Sequence, residues 1–238
     1  MGLPKIKHPV FTVTVPSTNN KLRLRPFLVR EEKILLLAQT SADPGDIADA
    51  IKQVINNCVM DEVDVDTFTT FDLEYVFLKL RAKSVGNVID LKYTDPLDQQ
   101  TYDLKVNLDD VEIIRDSKHT TKIPMTKDTG IVLRYPKADM AGDLKNIDNE
   151  LDLLFSIIKY CILSVYDADT EYKLADFSEQ EVEDFVNELN VDTFQKIQTF
   201  FETMPRLHYE IKYKVKDTEV DEERSVVLKT LTDFFTFR

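Results

Sequence analysis

The chain has 238 residues, of which 43% are hydrophobic and 31% charged, and its formal net charge is −13 at pH 7. This length and apolar content suffice for a packed core and exclude a disordered chain, which would lack so many Phe, Tyr, Ile and Val residues. The excess of acidic residues argues against nucleic acid as a partner, and no apolar run approaches the roughly 18 residues that a membrane helix needs.

The N-terminal part predicts a β-hairpin and two helices. Apolar and polar residues alternate over 10–15 and again over 21–25, with turn-forming residues between them, which is typical of a hairpin. Apolar residues then recur at helical spacing over 28–40 and through 47–55. These two segments predict a pair of short helices.

A third helix and a series of short strands follow. Apolar residues at helical spacing begin at Phe71, Thr70 can cap the first turn, and the sequence Ser-Val-Gly at 84–86 suits a helix end. The next segments alternate in the manner of strands and are separated by turns. We expect an antiparallel meander of about five strands, at residues 88–93, 102–108, 111–115, 121–125 and 130–135.

The C-terminal part is predicted to be mainly helical. An apolar stripe at helical spacing runs from 147 to 162, and Ser178 with Glu181 has the pattern of a capping box that opens a further helix. The remaining predicted elements are a helix at 193–204, a strand at 207–216, and an apolar segment at 225–237 that we expect to be helical.

These elements together predict an α+β fold, with an N-terminal β-hairpin and helices, a central antiparallel sheet and a C-terminal helical part. No internal repeat or low-complexity segment interrupts them. We expect residues 1–238 to form a single unit, with a weak internal boundary near 137–146.

The N-terminal sequence and the two cysteines indicate the cellular compartment of the protein. The N-terminal sequence MGLPKIKHPV lacks the apolar stretch of a secretory signal. Cys58 and Cys161 each lie in an amphipathic pattern, which favours buried thiols in a reducing compartment and leaves a disulfide or a metal site as the alternatives. We expect a soluble, intracellular protein.

The sequence has no recognisable catalytic or cofactor motif. His8, His119 and His208 lie in three different segments, and the five glycines are too scattered to form a phosphate-binding loop. Residues 167–171 resemble the start of a calcium loop, but Tyr172 stands where that loop needs glycine. We therefore predict no catalytic, cofactor-binding or metal-binding residues, no cofactor and no small-molecule substrate.

Charge is distributed unevenly along the chain. Residues 1–30 contain six lysines and arginines and no acid, whereas residues 167–192 contain ten acids and one lysine. Such polarity can orient one chain against another, so a homo-oligomer is left open. Two solvated faces are the alternative interpretation.

Two long motifs make the chain recognisable. The opening combines LPKI at 3–6, VPST at 15–18 and RPFLVREEK at 25–33, and FDLEYVFLKLRAKSVG follows at 71–86. Together they closely resemble the baseplate hub subunit family of T-even-type contractile-tailed bacteriophages (myoviruses). The segment 228–235 is also similar. The resemblance covers most of the chain and is strongest over residues 3–93.

The resemblance implies a non-enzymatic part in building the central hub of the tail baseplate. Implied partners are other tail and baseplate hub proteins, and implied locations are the virion baseplate and, during assembly, the host cytoplasm. One alternative is an assembly chaperone that is absent from the finished virion. A cell-wall-degrading hub enzyme is a weaker alternative, because no lysozyme or peptidase motif is present.

The two long motifs also contain the residues that we expect to contact partners. Their apolar members are expected in the core: Phe27, Leu35, Phe71, Phe77 and Leu80. Their charged members are expected to be more exposed, and the candidate partner contacts are Arg25, Arg30, Glu31, Arg81 and Lys83. The alternative interpretation is that these charges maintain the fold, by pairing near helix ends.

Overall fold

The computed structural model of the chain describes residues 6–40, 44–140, 144, 147, 149–216 and 222–234. Helices and antiparallel sheets both occur in these ranges, which confirms the predicted α+β class. The chain divides into two compact units, the first formed by Met1–Ile114 with Arg206–Arg238 and the second by Arg115–Pro205. The stretch 137–146, where the sequence predicts a weak boundary, lies within the second unit. The expectation that the whole chain behaves as one unit stays a prediction.

The first unit opens with the predicted hairpin and helices. Strand β1 (Phe11–Thr14) pairs antiparallel with β2 (Lys21–Leu24). In the turn between them Asn19 has a φ of 59°, a left-handed conformation that asparagine tolerates. Helices α1 (Val29–Gln39) and α2 (Pro44–Cys58) follow. The hairpin and both helices are thus confirmed.

Helix α3 (Thr70–Ser84) is confirmed, but its cap differs from the prediction. Thr69 caps the helix: its hydroxyl accepts the Asp72 N–H at 3.2 Å, and the Asp72 carboxylate accepts the Thr69 N–H at 3.3 Å. Asp72 also accepts the Ser17 N–H at 2.8 Å, which ties the start of α3 to the β1–β2 turn. Gly86, with a φ of 146°, follows the helix end, where only glycine is free of strain.

All strands of the predicted meander form, but they do not form one sheet. Strands β3 (Val88–Thr94) and β4 (Thr101–Asn107) make a two-stranded hairpin in which Leu91 lies opposite Leu104. Strand β5 (Glu112–Ile114) pairs with a strand from the C-terminal part of the chain. The continuous meander is therefore wrong, because alternation along a segment does not specify which strand it pairs with.

In the described residues of the second unit, a four-stranded antiparallel sheet is accompanied by three helices. Its strands, in spatial order, are β6 (Lys122–Pro124), β7 (Gly130–Leu133), β8 (Ile162–Tyr166) and β9 (Glu171–Lys173). Its helices are α4 (Glu150–Cys161), α5 (Glu179–Asn187) and α6 (Val191–Thr203). The capping box of α5 is confirmed, since the Glu181 carboxylate accepts the Ser178 N–H at 2.9 Å.

Strands β8 and β9 correct the predicted helical stripe. The stripe was expected to continue to Ile162, but the helix ends at Cys161 and Ile162 begins β8. The apolar, partly β-branched sequence of β8 lies between β7 and β9, so that both of its edges are paired. Periodicity alone cannot separate a short apolar strand of this kind from the continuation of a helix.

The C-terminal part of the chain completes the first unit. Strand β10 (Arg206–Lys214) confirms the predicted strand, and it lies between β5 and β11 (Glu223–Leu228) in a three-stranded sheet. A short helix, α7 (Leu231–Phe234), follows. Residues 225–228, predicted to be helical, are therefore strand, because pairing with β10 decides their conformation; residues 235–238 lie outside the described part.

Each unit has its own core. The largest fully buried side chains of the first unit are Leu24, Ile55, Phe71, Leu78, Leu80, Leu108 and Leu207, and those of the second are Ile131, Ile158, Ile197 and Phe200. Phe27 and Phe77 are buried as expected, whereas Leu35 is only partly buried. Cys58 and Cys161 are buried free thiols, as predicted. Among the described helices, none combines the length and apolarity needed to cross a bilayer.

Candidate partner-binding surface

Glu31 is a fully buried carboxylate in the first turn of α1. It accepts hydrogen bonds from Arg25 Nη2 at 3.0 Å, from Arg30 Nε at 2.6 Å and from the Leu28 backbone N–H at 2.8 Å. Burial acts to raise the pKa of Glu31, but the hydrogen bonds from Arg25, Leu28 and Arg30 outweigh it, and the pKa falls to about 2. The carboxylate is therefore charged at neutral pH, and it organises the start of the helix.

Arg25 is the main partner of Glu31 and is itself mostly buried. Its guanidinium also donates to the carbonyl oxygen of Asn57 at 2.7 Å and to that of Pro26 at 3.0 Å. Arg25 thus connects the start of α1 with the end of α2. The expectation that Arg25 and Glu31 are exposed is wrong, because the segment 26–28 leads into α1 in a way that brings the Arg25 guanidinium onto Glu31 in the first helical turn.

Of the other three candidate residues, Arg30 and Lys83 are exposed and Arg81 is intermediate. The Arg30 side chain is 68% exposed although its Nε reaches Glu31. Lys83 is exposed and its Nζ lies 3.2 Å from Asp109 Oδ1. Arg81 is partly buried: burial lowers its pKa, while Glu32 acts in the opposite direction. Of the five candidates, Arg30, Arg81 and Lys83 therefore remain available to a partner.

An apolar groove lies beside Arg81 in the first unit. It has a volume of about 230 Å³, and it is lined by Phe27, which precedes α1, and by side chains of α1, α2, α3 and α7, among them Leu35, Ile47, Ile51, Phe77 and Leu231. Glu32 and Arg81 add one acidic and one basic group to this lining. The partial burial of Leu35 is explained by this position, since its side chain faces the groove rather than a closed core.

Helix α1 also presents large apolar side chains to solvent. Leu37 is 72% exposed, and Val29 and Leu36 are exposed as well; Leu36 also lines the groove. Together with the groove, these three residues form what we call the α1 surface. The sequence gives no clear signal for it, because the run Ile-Leu-Leu-Leu at 34–37 places apolar residues on every side of the helix.

Glu74 holds the short helix α7 beside this groove. Its Oε1 accepts the Leu231 backbone N–H at 3.2 Å. Burial raises the pKa of Glu74 to about 7, the Leu231 hydrogen bond acts to lower it, and the nearby Asp233 raises it further. Leu231 lines the groove. The charge of Glu74 therefore acts on a residue that forms part of the α1 surface.

Within the described ranges, no three His, Cys, Asp or Glu side chains come together as a set that could hold a metal ion. His119, in the second unit, is instead held by aromatic stacking. Its ring lies 5.5 Å from Tyr135 and 5.1 Å from Phe200, and its Nδ1 is 2.9 Å from the Thr203 hydroxyl. These contacts give His119 a structural setting against Phe200, a residue in the core of that unit.

Comparison with known proteins gives one match. The family model described as T4 bacteriophage base plate protein matches residues 8–236, which is nearly the whole chain. No curated protein and no solved structure matches the chain.

Proposed function

The chain belongs to the T4 bacteriophage base plate protein family, and we propose from this premise that it is a non-enzymatic structural component of the central hub of a contractile-tail baseplate. It acts through contacts with other tail proteins. Its site of action is the baseplate of the virion, and it reaches that site from the host cytoplasm, where the tail is assembled.

The α1 surface is the observation that carries the proposal. Monomeric soluble proteins rarely expose a large contiguous apolar patch unless the surface binds something, and Leu36 continues the apolar lining of the groove onto the surface of α1. Val29, Leu36 and Leu37 are exposed together on one helix of 11 residues. The aliphatic side chains supply the apolar contact area that a protein interface needs at its centre.

Charged residues near the α1 surface provide the polar part of such an interface. Arg30 follows Val29 directly in α1, and Arg81 lines the groove. Arginine is enriched at protein interfaces, because its planar guanidinium can bind carboxylates while its stem packs against apolar groups. We propose Arg30, Arg81 and Lys83 as partner contacts. We propose that Arg25 and Glu31 stabilise this surface through their buried ion pair at the start of α1.

The test replaces the exposed leucines and measures complex formation. The double variant Leu36→Asp/Leu37→Asp should fold, because both side chains are exposed, but its affinity for co-expressed tail proteins should fall by about 30-fold or more, as expected for loss of interface hot spots. The matched control is Leu97→Asp, since Leu97 is 78% exposed in the turn between β3 and β4. Equal assembly by the variant and the control would contradict the proposed surface.

An assembly chaperone is the alternative that the same surface would also suit. A chaperone and a structural subunit both bind tail proteins, but only the subunit stays in the finished particle. Among the residues that the structure describes, Glu74 is the group that would suit an enzymatic role, since its raised pKa is typical of a proton-donating carboxyl. Glu74 is engaged by the Leu231 N–H, so we assign it to the fold and expect the purified chain to release no fragments from peptidoglycan.

A further inference from the structure

Strand β9 (Glu171–Lys173) is an open edge of the sheet in the second unit. It pairs with β8 on one side, and no other strand of the described part of the chain pairs with it on the other side. All three of its residues are exposed. The opposite edge, β6, is better protected, because Pro124 has no N–H and its carbonyl oxygen accepts a hydrogen bond from Lys196 Nζ at 3.1 Å.

An apolar pocket adjoins the open edge. It has a volume of about 290 Å³, and its apolar lining is Val165, Tyr172, Leu174, Phe177, Val182 and Phe185. Tyr172 and Phe177 are 41% and 43% exposed, and their rings lie 6.5 Å apart in an edge-to-face arrangement. An edge strand beside a pocket is the arrangement that binds an added extended segment, whose backbone pairs with the edge while one side chain fills the pocket.

The acidic residues around this edge favour the binding of a basic segment. All ten acidic residues between 167 and 192 are exposed, and the same stretch contains one lysine. Lys159 and Lys196 pair with two of these acids, Glu183 and Asp192. An extended segment that carries lysines would be attracted to this face, and an acidic one repelled.

The chain itself has such a segment. Residues 6–10 are exposed and lie outside any helix or strand, and Ile6 is 77% exposed. Lys5 and Lys7 flank Ile6, and the prolines at 4 and 9 leave four residues, 5–8, that each carry a backbone N–H. This length is similar to that of the three-residue strand β9.

We infer that the basic segment 5–8 of one copy adds as a strand to β9 of a second copy, with Ile6 over the apolar pocket. Alternation along a strand then places Lys5 and Lys7 on the face that carries Glu171 and Lys173, opposite to the face of Tyr172. The contact joins different surfaces of the two copies, so it is head-to-tail and can continue from copy to copy. It does not involve the α1 surface and holds or fails independently of the proposed function.

Sedimentation velocity of the full chain over a range of concentrations tests the inference. The wild type should form dimers and larger species as concentration rises at low salt, and fewer as salt increases. Tyr172→Ser/Phe177→Ser, which removes the pocket, and Lys5→Glu/Lys7→Glu, which reverses the segment, should each remain monomeric. The control Lys118→Glu/Lys127→Glu makes the same change of charge at exposed positions and should associate like the wild type.

A mixture of the two monomeric variants gives the sharpest result. One variant keeps an intact segment and the other keeps an intact edge, so the mixture should form a one-to-one dimer and no larger species. Circular dichroism confirms that each variant is folded before mixing. A monomeric wild type, a mixture that stays monomeric, or association of either variant alone at the wild-type level would overturn the inference.

Discussion

Arg25 and Glu31 form an ion pair inside the first unit, with Nη2 and Oε1 3.0 Å apart and the carboxylate fully buried. Arg25 stands before the segment 26–28 that leads into α1, and Glu31 lies in the first turn of α1. The pair therefore fixes the direction in which α1 leaves the hairpin. Since α1 carries Val29, Leu36 and Leu37, a buried interaction supports the exposed surface that we propose for partner binding.

Removing the Glu31 carboxylate should destabilise the chain strongly. Glu31→Ala leaves the mostly buried Arg25 without its carboxylate partner, and breaking a buried pair in this way costs about 3–5 kcal/mol. The control Arg30→Ala removes an exposed partner of the same carboxylate and should cost about 0–1 kcal/mol. Urea unfolding at neutral pH measures both free energies. Similar losses for the two variants would contradict the structural role of the buried pair.

Acid should weaken the same interaction. The pKa of Glu31 falls from 4.5 to about 2 in the folded chain, so its contribution to stability is present above pH 4.5 and is lost as the pH falls toward 2. The difference in unfolding free energy between the wild type and Glu31→Gln should shrink over that range. A difference that does not change with pH would show that the carboxylate has no depressed pKa.

Glu74 should have the opposite pH dependence. Its pKa rises from 4.5 to about 7 in the folded chain, so the folded chain holds this proton more tightly and loses stability as the pH rises from 4.5 through 7. Glu74→Gln keeps an oxygen acceptor for the Leu231 N–H without a charge. At pH 8 the variant should be more stable than the wild type by about 1–3 kcal/mol, and near pH 5 the gap should be much smaller. Melting curves across this range would contradict the assignment if the gap were constant.

The two cores should unfold together. The chain passes between the units twice, and the residues at the two crossings, Ile114 and Arg206, are paired in the sheet of β5 and β10. Loss of this sheet would release both ends of the second unit. Phe71→Ala and Phe200→Ala, in different cores, should each cost about 3–5 kcal/mol and shift a single calorimetric transition. Two transitions, of which each variant moves only one, would contradict the single-unit prediction.

The sequence predicts most local elements of this fold, since their signals are local. The hairpin before α1 and the helix α3 follow from alternation and from helical spacing. The cap of α3 is misplaced by one residue because Thr69 and Thr70 are equally suitable cap residues, and only the bonds to Asp72 decide between them. Errors of this kind are small.

Features that depend on distant residues could not be predicted in the same way. The segment 225–228 is a strand because it pairs with β10, and Ile162 begins a strand because β7 and β9 lie on either side of β8. The burial of Glu31 depends on a turn that brings Arg25 back to it, and charge patterns alone favour an exposed site. For the same reason the sequence indicates candidate partner contacts but not the α1 surface.

Quantitative mass spectrometry of purified particles of the phage that encodes this chain tests the central claim most directly. A structural component of the baseplate should be present in every particle at a fixed ratio to the other baseplate proteins. That ratio should persist after the particles are washed at high salt, since apolar contacts do not depend on screened charges. Absence of the chain from particles that contain a complete baseplate would contradict the claim and would identify a factor that acts only during assembly.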